Sequence, residues 1–188
     1  MGGHVLTRIE KVDYSVEGVP IGEFENILFS GCNFGRADLN GVVFWECVFE
    51  DCDLSLATVT DASFRDVHFV GCKMLGFRFD MCNKLGLELA FERCNLNHSV
   101  FSGLKLPNTV FTDCTLCEVD FESCDLTGAS FSGSDMTRSV FVQSNLKKAD
   151  FRTAHGFSID PESNTIQGAK FSMAGLAGLL DKYKLDIS

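Results

Sequence analysis

Nine cysteines, four histidines and 26 carboxylates are the residues of this 188-residue chain with the most chemistry in their side chains. Cys114-Thr-Leu-Cys117 has the CxxC spacing of a redox pair or half a zinc site. No second CxxC pair completes a zinc set. His4, His68, His98 and His155 are scattered, and no Ser-His-Asp, paired-His or phosphate-loop pattern accompanies them. The sequence therefore offers no catalytic constellation, and neither a metal nor a cofactor is expected. The carboxylates are different, because they cluster. Glu46, Glu50, Asp51, Asp53, Asp61 and Asp66 stand against one base, Arg65. Asp113, Glu118, Asp120, Glu122, Asp125 and Asp135 have no Lys or Arg among them, and bases return at Arg138, Lys147, Lys148 and Arg152. The chemistry available is electrostatic.

What positions these groups is a period of five. From Phe91 to Phe151 every fifth residue is Phe, Leu or Met: Phe91, Leu96, Phe101, Leu106, Phe111, Leu116, Phe121, Leu126, Phe131, Met136, Phe141, Leu146 and Phe151. The same spacing runs from Phe24 to Phe79, for 25 such centres in all. A period of five fits neither a helix nor a continuous strand, so each unit must change direction. Two residues before a centre stands a small residue, Cys94, Ser99, Cys124 or Ala129 for example. Both face inward, and the residue between them, often Asp or Asn, faces out. The two residues after the centre make a corner, and Gly103, Gly128 and Gly133 fall where positive φ is wanted. Strict Phe/Leu alternation from 91 to 131 stacks like on like if a coil holds an even number of sides, such as four. Phe91, Phe111, Phe131 and Phe151 then stack in one ladder, with Phe101, Phe121 and Phe141 opposite.

Units such as Cys-Asp-Leu-Thr-Gly (124–128), Ala-Ser-Phe-Ser-Gly (129–133) and Ala-Asp-Leu-Asn-Gly (37–41) resemble the pentapeptide-repeat family. The resemblance implies an all-β fold, a right-handed quadrilateral β-helix with four repeats per coil. Twenty-five sides make about six coils, a shaft about 30 Å long from the strand spacing of ~4.8 Å.

The register reinterprets the cysteines. Cys32, Cys47, Cys52, Cys72, Cys94, Cys114 and Cys124 hold the small inward position and act as packing groups. Cys114 points in while Cys117 sits on a corner, which demotes the CxxC motif. The odd count and the lack of a signal-peptide pattern at the N-terminus lead us to expect a reducing cytoplasm. No run of eighteen apolar residues suggests a membrane span. A net charge of −10 argues against a nucleic-acid-binding surface.

Along the chain, residues 1–20 read as a lead-in, with Tyr14 and Val19 in frame for a frayed first coil. Residues 21–82 form a first repeat block and 91–171 a second. Phe79 to Phe91 is two residues longer than two repeats, so 83–90 must hold a bulge. Asn83, Lys84, Leu85, Gly86, Leu87 and Glu88 are either a functional loop or a tolerated insertion. Gly156 and Pro161 fall on centres they cannot fill, and 159–164 reads as an outward turn. Residues 172–188 predict a C-terminal α-helix, N-capped by Ser172 and running to about Lys184. It caps the solenoid. Its apolar residues Met173, Leu176, Leu179, Leu180 and Tyr183 form a homodimer interface in the favoured reading, with Gly175 and Gly178 permitting close approach; a simple cap is the other.

Segments 69–76 and 91–97, with the Ile-Asp-Pro-Glu-Ser-Asn turn, resemble the small antibiotic-immunity branch of the family, the albicidin and microcin B17 immunity proteins and the quinolone-resistance proteins. That resemblance implies a protein partner, DNA gyrase or topoisomerase IV, and mimicry of DNA by acidic faces. An end-to-end dimer would carry about one charge per 3 Å against one per ~1.7 Å in duplex DNA. The alternative is a non-enzymatic interaction scaffold with an unrelated partner. Acidity serving solubility alone is the plainest reading of the charge.

Overall fold

A computed structural model describes residues 6–186, and His4 lies outside them. The period of five produces four sides, numbered here by their centres: side 1 carries Phe24, Phe44 and Phe64; side 2, Phe29, Phe49 and Phe69; side 3, Phe34, Leu54 and Met74; side 4, Leu39, Val59 and Phe79. The chain returns to the same side after twenty residues, so neighbouring strands are parallel.

Side 2 is a six-stranded parallel sheet of β1 (Thr7–Glu10), β3 (Ile27–Ser30), β5 (Val48–Glu50), β7 (Val67–Val70), β8 (Leu89–Glu92) and β9 (Val110–Thr112), in that order. Its register stacks Ile9, Phe29, Phe49, Phe69, Phe91 and Phe111. Bridges to Ser130, Asp150 and Lys170 continue it. Side 1 has three strands, β2 (Glu23–Glu25), β4 (Val43–Trp45) and β6 (Ser63–Arg65). Isolated bridges hold sides 3 and 4 together, such as Asn33 with Asp53 and Asp38 with Thr58.

The coil therefore begins earlier than Tyr14, at Thr7. Residues 14–17 are not a frayed side but a helical turn, α1 (Tyr14–Glu17). Asp13 caps it, accepting from the Ser15 N–H at 3.1 Å. Tyr14 keeps its inward place and stacks on Phe34 at 4.6 Å.

The expected ladders are present. Phe91, Phe111, Phe131 and Phe151 stack with ring centroids 5.1, 5.0 and 4.9 Å apart. Phe101, Phe121 and Phe141 stack opposite at 5.1 Å each, and the two columns meet edge to face, as Phe101 meets Phe111 at 5.8 Å. Such offset and edge contacts suit the ring quadrupole. The insertion leaves this register intact, since Phe91 sits over Phe69 at 5.4 Å.

Two expectations at the C-terminal end are corrected. Where Gly156 and Pro161 leave centres empty, Phe157 and Ile159 turn inward and are buried. Only Asp160–Ser163 turns outward. The long α-helix from Ser172 is instead two short 3-10 helices, Ala174–Leu179 and Asp181–Tyr183. Glycine is a poor helix former, and Gly175 and Gly178 lie against Phe157. A Cβ on Gly175 would stand 2.9 Å from the Phe157 ring, and one on Gly178 would meet the Phe157 carbonyl. These glycines serve close packing of the cap on its own coil.

Candidate functional site

Outward groups fall into three classes, set by their place relative to a centre. The second residue after a centre has left-handed backbone almost throughout. Every non-glycine residue of positive φ except Lys184 is at this corner, including Glu46 (51°), Asp51 (52°), Asp61 (57°), Asp66 (51°), Asp113 (52°) and Glu118 (57°). That conformation costs an L-residue about 1–2 kcal/mol. It is held because it aims each corner N–H at a carbonyl one coil on: Glu46 to Arg65 at 2.9 Å, Asp51 to Val70 at 2.9 Å, Asp113 to Ser132 at 2.8 Å.

Asp53, Asp120, Asp125 and Asp135 belong to a second class, just before a centre. Their Oδ1 atoms accept backbone N–H groups two residues on: Ser55 at 2.9 Å, Glu122 at 2.8 Å, Thr127 at 3.1 Å and Thr137 at 3.0 Å. These carboxylates brace corners. The Thr137 hydroxyl and N–H hold Asp135 below the usual carboxylate range, helped by nearby His155. At Asp53, burial pushes the carboxyl up, but Ser55 and Lys73 outweigh it and the net direction is down. The motif's structural use of Asp was not read from the sequence, although its recurrence one residue before the centre was the available signal. Asn33, Asn83 and Asn95 make the same brace. Glu50 and Glu122, the third class, lie just after a centre.

The twelve acids thus share exposure but not a face: all are half-buried or exposed, and they point from all four sides. Several are neutralised locally. Glu118 pairs with Arg138 and Asp53 with Lys73 at 3.3 Å, whereas the contacts of Glu118 with His98 at 3.2 Å and of Asp66 with His68 at 3.3 Å are ion pairs only with a protonated imidazole, so a neutral His68 leaves the Asp66 charge in place. Among the described residues, Glu46, Asp51, Asp61, Asp113 and Glu122 form no ion pair.

One edge does concentrate charge. The side 1–side 2 corner carries Asn26, Glu46, Asp66 and Glu88 in successive coils, as the alignment of Val67 with Leu89 requires. Three consecutive carboxylates stand there at the strand spacing of ~4.8 Å. Further up, the same edge holds Asn108, Gly128 and Lys148, so it changes sign. The 83–88 loop supplies Glu88 and takes the place of a side 1 strand. Asn83 N–H and Glu88 N–H bond back to Ala62 and Phe64 at 2.8 and 3.1 Å. Leu87 packs on the core, Leu85 projects with 74% exposure, and Gly86 (φ 71°) lies along the Arg65 side chain. Beside the acidic edge, Trp45 is 40% exposed. Sequence reasoning passed over it, though its place just after Phe44 marks an outward corner.

At the C-terminal end Leu179 packs against the core, whereas Met173, Leu176, Leu180 and Tyr183 are exposed. Lys182 ties the cap to the outward turn, at 2.7 Å from Asp160 and 2.6 Å from Glu162, and the Tyr183 hydroxyl donates to Glu162 at 2.9 Å. Among the described residues no helix is long and apolar enough to cross a membrane. Cys117 is half-buried on its corner and Cys114 fully buried.

The chain belongs to the pentapeptide-repeat family. A model described as pentapeptide repeats (9 copies) matches residues 24–71, and one described as a pentapeptide repeat region matches 84–151, together more than half of the chain. Two solved structures share the fold, and a third is similar at a lower score. A trypsin-treated variant of QnrB1, a plasmid-mediated fluoroquinolone resistance protein, is 20% identical with a TM-score of 0.51, covering 97% of this chain and 98% of its own. A second trypsin-treated QnrB1 variant gives 20% and 0.50, covering 98% and 100%. HetL, a pentapeptide repeat protein involved in heterocyst differentiation regulation from the cyanobacterium Nostoc sp. strain PCC 7120, is 12% identical with a TM-score of 0.47, covering 90% and 88%. No curated protein matches the sequence.

Proposed function

We propose that this protein is a non-enzymatic partial mimic of DNA that binds a type II topoisomerase, DNA gyrase or topoisomerase IV, and protects it from topoisomerase-targeting antibiotics in the cytoplasm. The observation that carries the reading is the acidic edge of Glu46, Asp66 and Glu88. One DNA strand presents a phosphate every ~3.4 Å along the axis. The edge presents a carboxylate every ~4.8 Å, about 70% of that density on a straight, rigid line. Asp51, Asp61, Asp113 and Glu122 add unpaired charge elsewhere on the rod, while the corner-bracing acids and Glu118 are committed to local contacts. QnrB1 is a fluoroquinolone resistance protein whose fold runs the length of this chain, which makes its target class the first to test. The 83–88 loop lies on the proposed contact edge, with Leu85 and Trp45 as its apolar elements.

The purified protein is expected to alter gyrase supercoiling, or to restore it in the presence of ciprofloxacin or albicidin. No effect on gyrase or topoisomerase IV at micromolar protein would leave the scaffold reading in its place. Self-association belongs to the same proposal: Met173, Leu176, Leu180 and Tyr183 pair two copies end to end. Leu176→Asp with Leu180→Asp should give a soluble monomer by light scattering, and a monomeric parent protein would refute the dimer.

A further inference from the structure

Side 3 stacks five thiols. Cys32, Cys52, Cys72, Cys94 and Cys114 hold the same inward position in consecutive coils, and none is more than 2% exposed. The residues just after them pair in register: Asn33 with Asp53, Asp53 with Lys73, Lys73 with Asn95, and Asn95 with Thr115. The thiols therefore repeat at the strand spacing of ~4.8 Å. They also point the same way, because they meet equivalent carbonyls, two each for the first four and Thr112 alone, at 3.3 Å, for Cys114. Sγ of Cys52 is 3.4 Å from the Phe29 oxygen and 3.3 Å from that of Glu50. For Cys72 the partners are Phe49 and Val70 at 3.2 and 3.6 Å, and for Cys94 they are Phe69 and Glu92 at 3.3 and 3.4 Å. All five are free thiols.

Evenly spaced sulfurs in a dry interior suit a soft metal ion. Two collinear metal–sulfur bonds of ~2.3 Å span about 4.6 Å, close to the coil repeat. Ions that require a tetrahedral set do not fit, since among the described residues no group of three or more His, Cys, Asp or Glu is placed to hold a metal. Charge decides between the two-coordinate ions. A buried net charge is heavily penalised; two thiolates neutralise a divalent ion but leave a monovalent one with an excess negative charge.

We propose that neighbouring thiols of this column form linear sites for a soft divalent cation of the mercury(II) type. Two S–H bonds break, two metal–sulfur bonds form, and two protons leave to solvent; no electrons are transferred. Five thiols in line make two separate pairs, hence two ions per chain. Entry requires local opening of coils, so loading is slow. The remaining inward cysteines provide an internal control. The ladder neighbours of Cys47 are Ile27 and Val67, buried Cys82 lies over Ala62, and those of Cys124 are Leu104 and Ser144, so none of the three is paired with a thiol one coil away.

The test uses two double variants that each remove two thiols. Cys52→Ser with Cys94→Ser leaves Cys32, Cys72 and Cys114 two coils apart, whereas Cys32→Ser with Cys114→Ser leaves Cys52, Cys72 and Cys94 adjacent. Serine suits the site, since Ser134 already continues the column and donates to the Phe111 carbonyl at 3.2 Å. Reduced protein is loaded with mercury(II) under conditions where the Asp53 and Lys73 amides exchange fully, then washed with free cysteine and counted by native mass spectrometry. The expected content is two ions in the parent, one in the adjacent-thiol variant and none in the separated-thiol variant, with two sulfur neighbours by X-ray absorption. Equal content in the two variants, no ion in the parent, or three or more sulfur neighbours would overturn the proposal.

Discussion

The core is filled with phenylalanine in two different patterns, one on each side of Phe79. In the N-terminal coils the Phe ladders occupy adjacent sides, Phe24, Phe44 and Phe64 on side 1 and Phe29, Phe49 and Phe69 on side 2. In the C-terminal coils they occupy opposite sides, 2 and 4, and side 1 passes to Leu106, Leu126 and Leu146. Side 2 runs through both halves unbroken. The changeover happens in the coil that holds the 83–88 loop. There Phe77 takes the inward position that Ala37, Ala57, Ser99, Val119 and Ser139 hold in the other coils of side 4, with its ring 6.2 Å from Phe64 and 4.5 Å from Phe79. Phe77 thus hands the aromatic column from side 1 to side 4, and Leu87 fills beneath the loop. The contrast teaches that the two extra residues are not an ornament on a uniform rod. They sit where the core pattern changes, and they place Glu88 on the acidic edge.

Phe77→Ala should have the largest effect. It opens a cavity where the aromatic column passes from side 1 to side 4, and we expect a loss of about 3–5 kcal/mol in denaturant unfolding; a loss under about 1 kcal/mol would mean that the halves do not depend on this ring. Next come the corners. Gly133→Ala adds a Cβ at φ 68° that meets the Asp113 carboxylate, for a cost of about 1–2 kcal/mol. Leu56→Gly should do the reverse in the N-terminal half, since Leu56 is 53% exposed at φ 58°, with a gain of up to about 1 kcal/mol as a raised urea midpoint. Unchanged midpoints in both would show that the corners carry no backbone strain. Deleting Leu85 and Gly86 restores the twenty-residue step and should change stability by no more than about 1 kcal/mol, leaving the loop's contribution to binding open to measurement by itself.

The smallest effect concerns the cap. Lys182 holds the Asp160 and Glu162 carboxyls below their ordinary values of 3.8 and 4.5. A lowered folded-state pKa gives stability that is complete above the unfolded value and lost as pH falls through the folded one. Acidification below about pH 4 should therefore loosen the cap, seen as faster amide exchange at Leu180 and Tyr183, while the shaft amides stay protected. Lys182→Met should weaken that pH dependence, leaving the smaller part due to the Glu162 N–H on Asp160 and the Tyr183 hydroxyl on Glu162.

Much of this was legible in the residues. The side ladders followed from two things together: Phe/Leu alternation calls for an even number of sides, and the family resemblance implies four. Positive φ at the corners followed from three glycines, and the structure extends it to many non-glycine residues, held by hydrogen bonds between coils that spacing cannot show. The acidic edge was not legible: it joins Glu46 and Asp66 to Glu88 across an insertion, and only the pairing of Val67 with Leu89 brings them into line. The predicted helix after Ser172 failed because apolar spacing says nothing of Phe157, against which Gly175 and Gly178 pack.

The most direct measurement is ciprofloxacin-inhibited gyrase supercoiling with the parent protein and a Glu46→Lys, Asp66→Lys, Glu88→Lys variant. All three positions are surface corners, so the variant should fold. Our account predicts that the parent alters gyrase activity or restores it at micromolar concentration and that the variant requires about tenfold more protein or fails, a loss of ~1.4 kcal/mol or more in binding. Equal action of parent and variant would contradict the acidic edge as the contact, and inactivity of both would contradict gyrase as the partner.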